Sequence, residues 1–129
     1  MVRAAALAVA VSALVVACAR PRQESATSHQ SPLDSVLRVV QTLTSDRACD
    51  DVSQCRAMAF GAKPCGGPWR YLVYSIRTTD SARLAEAVGA YNAAEAELNR
   101  QEGRMSDCRV VEMPTLACRM GACVAIGGP

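Results

Sequence analysis

Cys65-Gly66-Gly67-Pro68-Trp69-Arg70-Tyr71-Leu72-Val73-Tyr74-Ser75-Ile76 holds the single Trp of the chain and two of its three Tyr. A Cys-Gly-Gly-Pro turn leads into eight residues whose types favour a pleated, half-buried surface. Strand alternation sets Trp69, Tyr71, Val73 and Ser75 on one face and Arg70, Leu72, Tyr74 and Ile76 on the other. Both faces are largely apolar, so the stretch reads as a central strand with a helix against one side.

Upstream, Gln54 to Phe60 alternates in the same way. Cys55, Ala57 and Ala59 share one face, and Gln54, Arg56, Met58 and Phe60 share the other. With the Gly61–Pro68 loop between them, the two stretches predict an antiparallel hairpin. Ser31-Pro32-Leu33-Asp34 carries an N-cap, a first-turn Pro and a capping-box acid. Leu33, Val36, Leu37, Val40 and Leu43 then form one apolar stripe, which predicts a helix from 32 to about 46. Thr79-Asp80-Ser81 marks the next N-cap, ahead of a second helical stripe, Leu84, Ala87, Val88, Tyr91, Ala94 and Leu98, with Gly103 as its stop. That predicts a helix over about 81–102. Glu86, Glu95, Glu97 and Glu102 read as its solvated face. The tail predicts three short strands, Cys108 to Glu112, Thr115 to Arg119 and Ala122 to Ile126, the last two joined by a tight turn at Gly121. The fold class is therefore α+β. A small antiparallel sheet of about four or five short strands packs with two helices in a single domain, residues 32–129.

The N-terminus points to export from the cytoplasm. Met1-Val2-Arg3 followed by an uncharged apolar run from Ala4 to Val16 has the pattern of a secretory signal, and it is too short to be retained as a membrane span. Val15-Val16-Ala17-Cys18 resembles the lipobox of bacterial lipoproteins. That resemblance implies a signal peptide at 1–17, acylation (palmitate and diacylglycerol) of Cys18, and a polar tether over 18–31 that contains His29, the only His. By resemblance to enterobacterial lipoprotein sorting, Ala19 behind the lipidated Cys implies the outer membrane, facing the periplasm. The alternative is cleavage after Ala17-Cys18-Ala19, which frees a soluble secreted protein. In either case seven Cys become six, an even set in an oxidising compartment, and three disulfides are expected among Cys49, Cys55, Cys65, Cys108, Cys118 and Cys123. Six Cys allow about 15 connectivities. The pairing preferred here joins neighbours, Cys49–Cys55, Cys65–Cys108 and Cys118–Cys123, although Cys118 and Cys123 can also each reach elsewhere.

The chemistry is sparse. Fourteen basic against 12 acidic residues leave no electrostatic footprint for nucleic acid. No His lies in the folded part to serve as base to a nucleophile, and there is no C-x-x-C redox motif. Asp50-Asp51 lacks calcium-loop spacing and reads as a capped turn. A zinc site at Cys118-x4-Cys123 competes with oxidation. No cofactor, metal or catalytic residue is expected. An enzyme would need a cleft lined by Asp107, Glu112 and Tyr side chains.

From the lipobox to Cys123 the chain resembles a group of small bacterial lipoproteins without an established activity. The residues carrying this are Cys55 with Ala59-Phe60-Gly61, Cys65-Gly66-Gly67-Pro68-Trp69 with Tyr71 and Tyr74-Ser75, Thr79-Asp80, Tyr91-Asn92, Met105-Ser106-Asp107-Cys108, Pro114, Cys118, Gly121 and Cys123. The resemblance implies an envelope location and one disulfide-linked domain. The expected function is a lipid-anchored, monomeric binding or structural module with Trp69, Arg70, Tyr71 and Lys63 as its candidate surface; the competing reading places Trp69 and Tyr71 in the core between strand and helix. Its partners are the membrane, through the lipid, and an unidentified protein. The alternative is a protease inhibitor presenting Lys63 on the Gly61–Cys65 loop.

Overall fold

A computed structural model describes residues 31–127. The expected signal peptide, Cys18 and the tether with His29 lie outside the described residues. No helix among those described is long and apolar enough to cross a membrane.

Helix α1 spans Pro32–Leu43. The Ser31 side chain accepts from the Asp34 N–H, and the Asp34 carboxylate accepts from the Ser31 N–H, which completes the capping box. The helix stops short of residue 46: Thr44 N–H makes a last regular bond to Val40 O, Ser45 N–H turns more tightly onto Thr42 O, and the two hydroxyls share these carbonyls. Thr44 Oγ1 donates to Val40 O at 2.9 Å, and Ser45 Oγ donates to Thr42 O at 2.8 Å. One 3-10 turn, Val52–Gln54, is capped by Asp51, so strand β1 begins at Cys55 and runs to Phe60. Strand β2 is Arg70–Ser75. Helix α2, Ser81–Glu102, starts at an Asp80 cap whose side chain accepts from Ala82 and Arg83 N–H, and it ends at Gly103 in the left-handed conformation. Strands β3 (Thr115–Arg119) and β4 (Ala122–Ile126) close the chain. Their two-residue turn, Met120-Gly121, has positive φ at both residues (50° and 73°), which matches the twist of the strands it joins.

The expected single sheet is replaced by two antiparallel ribbons of two strands each. β1 pairs with β2 in the register Cys55↔Ser75 to Phe60↔Arg70, and β3 pairs with β4 with Cys118 opposite Cys123. β2 is thus central in the layering rather than in a sheet order. One face of the β1–β2 ribbon buries Phe60 and Tyr74, flanked by Met58 and Leu72, against Val40 of α1 and Leu84 and Val88 of α2. Phe60 stacks on Tyr91 with ring centroids 4.4 Å apart. The opposite face puts Cys55 and Val73 against Leu116, Cys118 and Cys123 of the second ribbon. The segment before β1 adds a short bridge along β4. Cys49 N–H donates to Gly121 O (2.9 Å) and Cys123 N–H to Arg47 O (2.8 Å).

Three disulfides are present, with a connectivity that corrects the neighbour pairing in two of three bonds. Cys49 bonds Cys118, Cys55 bonds Cys123, and Cys65 bonds Cys108, with Cα separations of 6.0, 5.4 and 5.4 Å. The layering is the reason. The face of β1 that carries Cys55 looks onto the hairpin, and the bridge of Ala48 with Ala122 lays Cys49 beside β4, so each meets a cysteine of the second ribbon rather than the other. The expected strand Cys108 to Glu112 is absent. Cys108 is tied to Cys65, Val110 is 82% exposed, and the segment has no strand beside it.

Leu84 is fully buried between the helices and the first ribbon. Leu84→Ala should lower unfolding free energy by about 2–5 kcal/mol with all three disulfides intact, read from urea denaturation.

Candidate functional site

The Gly61–Trp69 loop is fixed from three sides. α2 clamps its backbone with residues of one face, since positions three, four and seven apart align on a helix. Asn92 Oδ1 accepts from Gly61 N–H at 2.7 Å and Glu95 Oε2 accepts from Ala62 N–H at 2.6 Å. Asn99 Nδ2 donates to Ala62 O at 2.7 Å. Glu95 therefore leaves the solvated face expected for it. Within the loop, Lys63 N–H donates to Gly67 O and Gly66 N–H to Lys63 O. The Cys65–Cys108 bond ties the loop to the irregular 104–114 segment. Gly61 has φ +83°, and a Cβ there would meet Trp69 Cδ1 at 2.5 Å and Glu95 Oε2 at 3.0 Å. Only glycine lets Trp69 and the α2 clamp approach so closely.

Lys63 is the pin of this arrangement. Its side chain is 5% exposed. Nζ donates to Asp107 Oδ1 at 2.9 Å and to Arg109 O at 2.7 Å, and it lies 5.4 Å from the centroid of the Trp69 ring. A buried ammonium needs such partners. Lys63 was expected on an exposed loop offered to a protease cleft, and its burial removes it from that role. The Lys63 hydrogen bond, with help from Arg109 at 3.1 Å, holds the Asp107 carboxyl below its ordinary range.

Trp69, 43% exposed, borders a groove of about 670 Å³. Lys63, Asp107, Arg109, Val110, Val111 and Glu112 complete its lining. The volume falls in the usual range of small-molecule sites. Asp107 and Glu112 do share this cleft, but its aromatic member is Trp69 and no Tyr lines it. Asp107 is stabilised as the anion, the opposite of what a general acid needs. The groove offers an indole surface, two valines, two carboxylates and a guanidinium, which together make a binding chemistry. Arg70 and Tyr71 line a different depression, beside α1 and β4, so the expected Trp69–Arg70–Tyr71–Lys63 surface is split in two. Arg70 also lies over the Phe60 ring at 5.2 Å. Tyr91 stays protonated to higher pH than usual through burial, with Glu95 adding to the effect.

The acidic pair at residues 50 and 51 is structural. Asp51 accepts from Ser53 N–H and its pKa is lowered by its hydrogen bonds with Ser53, and Asp50 pairs with Arg77 at 3.1 Å. The Sγ atoms of Cys49, Cys55 and Cys123 lie within 4.8 Å of one another. All three sulfurs are consumed in disulfides, and a metal requires thiolates. Compared with known family models, curated proteins and solved structures, the chain matches none.

The Lys63–Asp107 contact should make loop stability acid-sensitive. A depressed folded-state pKa contributes stability that is present above the unfolded value, about 3.9, and is lost as pH falls through the folded value. Asp107→Asn should therefore destabilise at pH 7, and its difference from wild type should shrink and then vanish as pH falls below the ordinary carboxylate range, measured as urea midpoints across pH. Asn99→Ala, which removes a buried side chain and strips the half-buried Ala62 carbonyl of its donor, should cost about 1–3 kcal/mol at any pH.

Proposed function

We propose that this chain is a non-enzymatic binding module of the bacterial cell envelope, carried on a lipid at Cys18, that captures its ligand in the Trp69 groove. One observation carries the binding reading. The only Trp is left 43% exposed at a groove whose every structural support is expensive: a positive-φ glycine, a buried lysine, a disulfide and three clamping side chains of α2. A rigid aromatic presented on a preorganised loop loses little entropy on binding. A ligand suited to it has one apolar face for Trp69 and Val110, and polar groups for Asp107, Arg109 and Glu112.

The envelope reading rests on the Met1–Val16 signal pattern and the Val15-Val16-Ala17-Cys18 lipobox, and the disulfides agree with an oxidising location. By the same resemblance the outer membrane is the favoured site of attachment, with release as a soluble protein after Ala19 as the alternative.

Because Trp69 is the only Trp, its fluorescence reports the groove alone. Titration of the disulfide-intact protein with soluble oligosaccharides and with short peptides should give saturable changes in emission with one class. Glu112→Gln should weaken them. Trp69→Ser should abolish binding, measured by calorimetry, at a stability cost of about 1–2 kcal/mol with the disulfides unchanged. Silence of both classes at millimolar concentration, or collapse of the fold in Trp69→Ser, would overturn the reading. Separately, the intact mass of protein from its host should correspond to acylated Cys18 onward. A mass beginning at Arg20 would replace the anchor with secretion.

A further inference from the structure

We propose that the native disulfide pattern is reached by one exchange among Cys49, Cys55, Cys118 and Cys123, which makes this chain a substrate of a thiol–disulfide isomerase. The partner is a protein presenting a nucleophilic cysteine thiolate.

The order of cysteines along the chain is the starting point. Pairing each with its neighbour gives Cys49–Cys55, Cys65–Cys108 and Cys118–Cys123. The native set keeps Cys65–Cys108 and replaces the other two with bonds spanning 69 and 68 residues. A single exchange between two bonds separates the patterns.

Physics favours the neighbour pairs first. Loop closure falls off with about the three-halves power of loop length, so a contact six residues away forms on the order of tens of times more readily than one 69 away. The hairpin adds a second bias. Cys118 and Cys123 are direct cross-strand partners, and Cys123 N–H donates outward to Arg47 O rather than across the hairpin. They are thus a non-hydrogen-bonded pair, whose Cα atoms lie about 4.5 Å apart. That spacing lies within the disulfide range. A hairpin forms in about 1–10 μs, long before the two ribbons stack. During synthesis and export Cys49 and Cys55 also emerge together, ahead of their native partners.

The folded structure supplies the endpoint, in which the exchanging sulfurs converge. Sγ of Cys49, Cys55 and Cys123 lie within 4.8 Å of one another, and Cys118 is bonded to Cys49, so all four sulfurs share one cluster. The catalyst thiolate attacks Cys123 Sγ in the Cys118–Cys123 bond, forming a mixed disulfide and releasing the Cys118 thiolate. Cys118 attacks Cys49 Sγ, forming Cys49–Cys118 and releasing the Cys55 thiolate. Cys55 attacks Cys123 Sγ and returns the catalyst as thiolate. Two bonds break and two form within the chain, with no net oxidant or reductant. Burial then locks the result, since Cys49, Cys55 and Cys123 are 4%, 3% and 0% exposed. The exchange catalyst must therefore act before the ribbons close.

Trypsin can distinguish the isomers, because Cys49 and Cys55 fall in one peptide (48–56) while Arg119 separates Cys118 (110–119) from Cys123 (120–129). The reduced, unfolded full mature chain is oxidised with diamide, which supplies no free thiol, then digested and mapped by mass spectrometry. More than half should carry an internal bond in 48–56 and a bond from 110–119 to 120–129. Adding protein disulfide isomerase in catalytic amount should convert this species, at unchanged intact mass, to one in which 48–56 links to both others. Cys65–Cys108 is the internal control and should be correct throughout. Native pairing as the main product without thiol, no conversion by the isomerase, or scrambling of Cys65–Cys108 would each overturn the proposal.

Discussion

Two ribbons of two strands each cannot hold themselves together by hydrogen bonds, and the Cys49–Cys118 and Cys55–Cys123 bonds are what make a domain of them. Each closes a loop of nearly seventy residues, worth about 4 kcal/mol in the chain-entropy account. The apolar core beside them is small, five buried residues from two helices and one ribbon. A two-stranded ribbon is at best marginal alone. The disulfide cluster is therefore the second core of the protein, with Val73 and Leu116 packed around sulfur as they would pack around aliphatic side chains.

The Trp69 groove depends on that frame at one remove. α2 must be held firmly against β1 for Asn92, Glu95 and Asn99 to meet the loop backbone, and the loop must be held for Lys63 to reach Asp107 and Arg109 O. Lys63 is then a structural cation. Its charge is answered within the protein, and the Trp69 face nearest to it is already occupied. What remains for a ligand is the outward part of the indole and the groups across the groove.

Local rules made much of the fold legible. The Ser31 capping box, the Asp80 cap, the stop at Gly103 and the limits of β3 and β4 all follow from residues within a few positions of one another. The alternation of β1 and β2 grouped Met58 with Phe60 and Leu72 with Tyr74, but it did not say which face meets the helices, and the core place weighed for Trp69 and Tyr71 is taken by Leu72 and Tyr74. What escaped were relations set by layering. Cys55 faces the hairpin only because the ribbons stack, and no spacing along the chain encodes that. Lys63 looked like an exposed loop cation because its partners lie more than forty residues away. Val110-Val111 has strand composition but was left without a neighbouring strand once Cys108 was drawn to Cys65. Glu95 differs from Glu97 by half a helical turn, enough to move it from solvent to the loop clamp. Trp69, Asp107 and Glu112 stood out as residues, and only the fold gathers them, leaving Arg70 and Tyr71 elsewhere.

The overlap of the two long disulfides has a topological consequence. Every peptide bond from Cys49 to Cys123 lies inside at least one covalent ring. A single cut anywhere in that span, even in the exposed 104–114 segment, opens a ring without releasing a fragment. α1 lies outside all the rings, held by Val40 and its neighbours and by the Thr79 hydroxyl on Leu43 O. The short link from Thr44 to Ala48 is thus the one place where a single nick parts the body of the protein from α1 and everything before it.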